Sequence, residues 1–379
     1  MTDRRPVVVH VLAPGEIGGL ERVVTLLGAA QQDAGCDVHI AAVLTDRGFD
    51  HPFLAAAHAA RVAGVHPILV PPRGYVRERR AIAALTKRLV ADVIHTHGYR
   101  PDLIAAAGPL PPGGHVLVST VHGFTGGDWK NRCYEWLQLH AYRRFDGVVA
   151  VAESVGDRLR QSGVPPRRVF VVPNAWRETV TPLDRIAARR RLGLPDEEFV
   201  VGWVGRLSFE KGPDVLVDAV GRLRDLPLTV AVLGGGRARG VLEQRAAEQG
   251  LNGQVRWYGV VPEAMRLFAA FDVFVLSSRT EGTPMVLFEA MAAGTPIVAT
   301  RVGGVPRVVS SAEAALVATD DAEALAAEVR SVFGNPRRAA ARAAAARRRL
   351  EREFAVGPWV ERYRDVYTQA RRGSALRAS

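Results

Sequence analysis

The stretch SRTEGTPMVLFEAMAAGTPIVAT (278–300) places Glu281 before a Gly-Thr-Pro turn and Glu289 inside the apolar run that follows it. Thr283 is expected to cap a helix through its hydroxyl, with Pro284 at the first helical position, where its missing N–H would have had no intrahelical partner. A helix starting there turns free amides and the positive end of its dipole outward, which suits an anion such as phosphate. One carboxylate then flanks the anion site and the other sits in the second helical turn. The apolar runs VFVLS (273–277) and PIVAT (296–300) bracket the segment, giving strand, helix and strand in succession.

The same alternation extends in both directions. Strand-like runs stand at 7–12, 38–44, 67–70, 92–97, 115–122, 147–152 and 168–173, with helical stretches at 20–34, 77–90 and 129–145. A second series runs through 199–205, 228–234, 255–259, 273–277, 296–300 and 314–318, with helices at 212–224, 240–249 and 284–293. Continuous Val/Ile/Leu runs separated by helices indicate parallel strands buried on both faces. Between the two series, 174–198 loses its periodicity and is expected to be a hinge. The fold class is therefore α/β, with two doubly wound Rossmann-like domains expected to face each other across a cleft. Their boundaries are 1–175 and 176–356, and a final helix at 357–372 is expected to pack back on the first. Trp359, Tyr363 and Tyr367 recur every fourth residue of that helix and read as a packing face, and the Ala/Arg helix at 337–353 reads as a solvated one.

At 379 residues, with 48% hydrophobic and 23% charged residues, the chain suits two globular domains, each large enough for its own core. No apolar run approaches the roughly 18 residues of a membrane span, and 7–14 reads as a first strand rather than a signal peptide. Two cysteines far apart, Cys36 and Cys133, fit a reducing cytosol. The net charge of +11 calls for anionic partners, although a general arginine bias would produce the same number. Lysine stands only at Lys87, Lys130 and Lys211, which makes Lys211 conspicuous.

Ligands of doubly wound sheets bind beyond the carboxyl ends of the strands, so the loops there carry the informative residues. Gly15, Gly18 and Gly19 occupy the loop after the first strand, but G-E-I-G-G is not the dinucleotide fingerprint G-x-G-x-x-G. Arg206 and Lys211, in GRLSFEKGPDVL, follow the strand at 199–205 and can neutralise a diphosphate, one by a planar fork and the other as a compact charge. His122 ends a strand in STVHGF, where it can offer a hydrogen bond or a proton, and His95 and His97 end the preceding strand with the same options. Gly234 to Gly236 are expected to form a backbone-lined pocket rim. Glu281 and Glu289 could form a glycosidase-type acid/base pair, but a helix start between them creates a phosphate site that simple hydrolysis does not need. No Cys, His or Asp cluster has metal-ligand spacing, so no metal and no cofactor are implied.

Taken together, these motifs resemble the retaining glycosyltransferases of family 4, of GT-B architecture, in which the nucleotide sugar is a substrate. The likeness runs in order through GEIGGLERV, ADVIHTHG, STVHG, RVFVVPNA, VGRLSFEKGPDVL, VLGGG and EGTPMVLFEAMAAGTPIVATRVGGVP. The resemblance implies that Arg206 and Lys211 bind the donor diphosphate, Glu289 the ribose hydroxyls and Glu281 the donor sugar. It also places His122 near the anomeric carbon, gives Gly18 and Gly19 a role in closing over the phosphates, and adds the amides of Thr283, Met285 and Val286 to the phosphate cradle. Charge building on the departing diphosphate would be stabilised by these cations and amides without a metal. Two departures from the family pattern stand out: Ala175 follows Asn174 where glycine is common, and Arg307 stands where glutamate is common.

The acceptor is less legible. Trp129, Arg132, Tyr134, Trp136, Tyr142, Arg143 and Arg144 mix aromatics with cations, and 77–88 is a basic helical stretch. Either stretch could rest on an anionic membrane and bring a lipid-linked acceptor to the site, or could be ordinary helix packing with solvated arginines. The expectation is a cytoplasmic, metal-independent glycosyltransferase, peripheral on the inner face of the membrane if the acceptor is lipid-linked. It has no nucleic-acid partner; the alternatives are a nucleotide-sugar epimerase and a non-catalytic nucleotide-sugar-binding protein.

Overall fold

The apolar runs become the strands of two parallel sheets in a computed structural model, which describes residues 4–15, 18–45, 50–108, 114–124, 129–177 and 181–378. The chain divides into two units, Met1–Ala175 with Val356–Ser379, and Trp176–Ala355.

The first unit holds strands β1 (Val7–Leu12), β2 (Asp37–Leu44), β3 (Gly64–Leu69), β4 (Val93–His97), β5 (Val116–Val121), β6 (Gly147–Ala150) and β7 (Val169–Val171). Between them run helices α1 (Gly19–Asp33), α2 (Pro52–Ala59), α3 (Tyr75–Leu89), α4 (Tyr99–Ala106), α5 (Trp129–Ala141) and α6 (Glu153–Gln161). The sheet order is β3-β2-β1-β4-β5-β6-β7 and every pairing is parallel. Side chains alternate across it as a strand's period of two requires. Val9, Val11, Ala41 and Val43 join one core cluster, and Leu12, Ile40, Ala42 and Leu44 join another on the opposite face.

The second unit opens with α7 (Arg185–Leu192), followed by β8 (Phe199–Val204), α8 (Pro213–Gly221), β9 (Leu228–Leu233), α9 (Arg239–Glu248), β10 (Val255–Gly259) and β11 (Val273–Leu276). It continues with α10 (Met285–Ala293), β12 (Ile297–Thr300), α11 (Val305–Val308), β13 (Ala315–Val317), α12 (Ala322–Gly334) and α13 (Pro336–Glu353). Its sheet order is β10-β9-β8-β11-β12-β13, again parallel. The last helix, α14 (Val356–Ala378), belongs to the first unit, where it buries Trp359 and Tyr363 and lies against β5, β6 and α1. Helix α13 buries Ala339, Ala343, Ala346 and Leu350 along one stripe.

Both sheets reverse direction once, between β1 and β4 and between β8 and β11. There the crossover helices part to opposite faces and leave a crevice at the strand ends. The loops after these four strands, together with the helices they lead into, contain most of the candidate residues.

Two local expectations need correction. The hinge segment 174–198 contains α7, which starts where the Asp184 carboxylate accepts from the Ala187 amide at 2.8 Å and stops at Gly193 with φ +59°. Its arginine-rich sequence lacks an apolar period, so the two caps were its only signal. Helix α10 begins at Met285, one residue later than expected, and Pro284 rather than Thr283 holds the cap position. With ψ at 114°, Pro284 is still extended, and it has no side-chain oxygen with which to cap.

Candidate functional site

The crevice of the second unit is built by close backbone packing. Gly212 has φ +60°, and a Cβ there would lie 2.1 Å from the Ser277 carbonyl oxygen, so only glycine lets the loop after β8 approach the end of β11. Ser277 Oγ donates to the Gly212 carbonyl at 2.7 Å and accepts from Trp203 Nε1 at 3.1 Å. Arg279 ties the same two loops together. Its guanidinium bonds both Asp214 carboxylate oxygens at 2.6 and 2.9 Å, Asp320 at 2.6 Å and the Phe209 carbonyl at 2.7 Å. It also lies over the Phe209 ring, 4.1 Å from the centroid.

This frame brings Lys211 and Glu281 together from opposite sides of the crevice. Lys211 Nζ donates to both Glu281 oxygens, at 2.7 and 2.9 Å, and Ser278 Oγ donates to Oε1 at 2.6 Å. The Glu281 side chain is only 5% exposed and that of Lys211 26%, so the pair has one wet face, on the lysine. Gly303, with φ +52°, fixes the glutamate's backbone from behind, since a Cβ there would lie 1.8 Å from the Glu281 carbonyl oxygen. The structure thus explains the Gly-Gly pair after β12 as a support for Glu281.

Arg206 is not drawn into that pair. It is 62% exposed and donates to Glu210 at 3.1 Å, which leaves most of its guanidinium accessible. Thr283, Met285 and Glu289 are buried, with Glu289 only 2% exposed, and Val286 is partly buried. At the start of α10 the amides of Met285 and Val286 have no intrahelical carbonyl to bond, as in any first helical turn. Gly234 to Gly236 do more than line a rim. A Cβ at Gly234 would lie 1.7 Å from the Gly205 carbonyl oxygen, and one at Gly236 would lie 2.3 Å from that of Leu207. The glycines hold the loop carrying Arg206 directly against the end of β9.

In the first unit, Glu21 organises the glycine loop, and the motif reading overlooked it. Its carboxylate accepts from the Gly15 amide at 3.1 Å and the Gly18 amide at 2.9 Å, while Gly19 begins α1. A glutamate three residues into a helix is the acidic half of a capping box, which was the signal available in GGLE. Beside this loop a cleft of about 460 Å³ opens between the ends of β1 and β4, lined by Ala13, Pro14, His97, Gly98, Tyr99 and Arg100 among others. A larger concavity of about 1180 Å³, near Asp218 and Asp320 in the second unit, contains none of the candidate residues.

His122 follows β5 and is the outer member of a histidine chain. Its Nε2 lies 3.1 Å from His97 Nδ1, His97 Nε2 lies 2.9 Å from His10 Nδ1, and His10 Nε2 lies 2.8 Å from Gln31 Oε1. His95 bonds Tyr367 and Thr120, each at 2.8 Å. Burial pushes His10 and His122 down to about 4, and it also lowers His95 and His97 well below the ordinary histidine value, with neighbouring histidines adding to the effect. All four rings are therefore neutral at pH 7. His10, His95 and His97 come within 4.8 Å of one another at their ring nitrogens, a cluster that linear spacing hid because it forms across β1 and β4. Every one of those six nitrogens already has a hydrogen-bond partner. Of the aromatic and basic residues on the acceptor side, Tyr134 and Trp136 are exposed at 47% and 57%, whereas Tyr142 is fully buried against Asp102. The side chains of Trp129 and Arg132 lie outside the described residues.

Two doubly wound parallel sheets, one with a lysine–glutamate pair and a helix N-terminus at its switch point, define the Rossmann-like class that binds phosphorylated ligands at strand ends. Within that class, a model of glycosyl transferases group 1 matches residues 184–349 and one of glycosyltransferase family 4 matches residues 17–176. Each half of the chain thus matches a glycosyltransferase family model. The chain is 39% identical over 166 residues to a D-inositol 3-phosphate glycosyltransferase of Stackebrandtia nassauensis, covering 40% of this chain and 38% of that one. Against a 2-deoxystreptamine glucosyltransferase of Streptomyces kanamyceticus it is 34% identical over 230 residues, 58% of this chain and 59% of the relative. These alignments span roughly two fifths to three fifths of the relatives' lengths. The fold matches that of the Anabaena HepE protein solved with UDP-glucose, with TM-score 0.84 and 20% identity over 96% of this chain and 99% of that one.

Proposed function

We propose that this protein transfers a glycosyl group from a nucleoside-diphosphate sugar to an acceptor hydroxyl. The observation that carries the reading is the Lys211–Glu281 pair set between the ends of β8 and β11 beside the start of α10. In this reading the donor diphosphate lies against Lys211, Arg206 and the first amides of α10, and the donor sugar's hydroxyls bond the Glu281 carboxylate. Glu289 is assigned the ribose hydroxyls. Gly18 and Gly19 let the glycine loop close over the phosphates, and His122 meets the sugar.

Transfer breaks the bond between the anomeric carbon and the diphosphate oxygen and forms one to the acceptor oxygen, whose proton passes to the departing diphosphate. The negative charge that grows on the leaving group is met by fixed cations and by the helix dipole. Retention of configuration, in which the leaving oxygen assists on the same face, follows the family resemblance. Metal independence is part of the same proposal, since the cations for the leaving group are side chains. The relatives support the reading: one is named for glucosyl transfer, and a structural neighbour was solved with UDP-glucose.

A panel of UDP-, GDP- and ADP-sugars, each measured for binding and for slow release of nucleotide, tests the proposal without knowledge of the acceptor. One donor should bind and be hydrolysed in the presence of EDTA, and NMR of the product should show the donor's anomeric configuration. Binding without any turnover would favour a non-catalytic binding protein, and isomerised donor sugar would favour an epimerase.

The acceptor side is proposed to meet an anionic membrane surface in the cytoplasm. Tyr134, Trp136 and Leu137 are exposed on α5, as are Arg77, Arg80, Lys87 and Arg88 on α3. Among the described residues no helix is long and apolar enough to cross a membrane. Stronger sedimentation with anionic than with neutral vesicles is expected, and equal binding to both would remove the membrane from the proposal.

A further inference from the structure

We infer that His97, His10 and Gln31 are positioning residues that fix the tautomer of His122 and leave its Nδ1 as a bare hydrogen-bond acceptor. The argument starts from the buried end of the chain. Gln31 sits in α1, 2% exposed, and its amide Nε2 donates to Tyr367 Oη at 2.9 Å. The amide oxygen is therefore the atom that faces His10, and an oxygen can only accept, so His10 carries its proton on Nε2.

Each ring then dictates the next. A neutral imidazole protonated at Nε2 has a bare Nδ1, so His10 accepts from His97 Nε2, and His97 in turn accepts from His122 Nε2. His122 is left with a lone pair on Nδ1, which has no partner among the described residues. Tyr367 continues the pattern on the other side: having accepted from Gln31 it donates to His95 Nδ1, and His95 Nε2 donates to Thr120. All four histidines thus carry the proton on the same nitrogen. The ring centroids lie 4.3 to 5.4 Å apart, tilted against one another by 31 to 39°, along one face of the sheet, held in register by β1, β4 and β5. Their neutrality, described above, is what makes the chain directional, since an imidazolium would donate at both ends.

The consequence is selectivity. A bare Nδ1 attracts a hydroxyl or an ammonium and disfavours a phosphate or carbonyl oxygen. On the transfer reading, the group that meets His122 is then a sugar or acceptor hydroxyl and not a phosphate oxygen. That use of the tautomer rests on the proposed function, whereas the tautomer itself does not.

The test is therefore made without substrate. Nitrogen NMR of the full-length protein labelled with ¹⁵N-histidine reads the tautomer of each ring, with His122→Phe assigning its signal. At pH 7.5 His122 should be in the Nε2–H form. Gln31→Leu removes the anchoring oxygen and should shift the His122 tautomer ratio by about tenfold or more, the worth of one buried hydrogen bond. Gln31→Glu, which keeps an acceptor at that point and guards against a leucine variant that fails to fold, should preserve the Nε2–H form. A predominant Nδ1–H form in the wild type overturns the inference, as does a ratio in folded Gln31→Leu equal to that of the wild type. If a donor is turned over, Gln31→Leu should lower kcat while leaving the affinity for that donor's nucleotide unchanged. Failure of the donor panel with the NMR result intact would reject the transfer reading and keep the tautomer.

Discussion

The two units repeat one topology with opposite electrostatics. All ten histidines of the chain lie in the first unit and none in the second, while the second holds Lys211 and the charged clamp around Arg279. At the β1/β4 crevice the histidines are neutral and linked ring to ring by hydrogen bonds. At the β8/β11 crevice the polar groups are ionic and held by loops. A parallel sheet with a crevice at its strand ends thus specifies where a ligand goes but not what it is. The side chains at the strand ends decide whether the crevice takes charge or counts hydrogen bonds.

Mild acid should separate the two most sharply. His10, His95 and His97 are fully buried and neutral when folded, with His10 lowered to about 4 from its ordinary 6.5. The unfolded chain binds protons near 6.5, so stability is complete above that pH and is lost as pH falls from 6.5 toward 4. Each such histidine contributes about 1.4 kcal/mol per pH unit in the middle of that window, so three give on the order of 4 kcal/mol per unit. Calorimetry between pH 7.5 and 5 should show the transition of the first unit falling steeply while that of the second moves little. Parallel shifts of the two would dissolve the contrast.

Lys211→Ala probes the ionic side. It leaves the nearly buried Glu281 carboxylate without its cation, which should destabilise the second unit by about 3 kcal/mol. Turnover in this variant and in Glu281→Ala should each fall at least about tenfold, about 1.4 kcal/mol in barrier height. In the double variant Lys211→Met/Glu281→Gln, stability should return while turnover does not. Unchanged turnover in both single variants would remove the pair from the site.

Gly303→Ala tests the support behind the glutamate. Its positive φ and the 1.8 Å approach to the Glu281 carbonyl require the loop after β12 to move, at a cost of about 1 to 3 kcal/mol. Melting temperature and donor affinity should fall together, and a wild-type affinity would show that Glu281 does not depend on that contact. The smallest change is expected for Arg206→Ala. An exposed ion pair with Glu210 is worth under about 1 kcal/mol, so the melting temperature should barely move, while nucleotide affinity and its salt dependence both drop.

The sequence by itself determined the two parallel sheets, because strands buried on both faces must be continuously apolar, and every such run became a strand. It also located Glu281, Lys211 and Arg206 at strand ends, since the turn residues around them are local signals. Helix α7 escaped because its signal was two caps and not a period. Tertiary structure alone decided that Lys211 reaches Glu281 and leaves Arg206 to Glu210, since the pairing depends on how closely Gly212 lets two loops approach. The histidine chain is the clearest case. His10, Gln31, His97, His122 and Tyr367 come from five elements or their ends, and only strand register and the docking of α14 put each within 3.1 Å of the next in that chain. Hydrogen bonds between residues so distant along the chain have no sequence period to announce them.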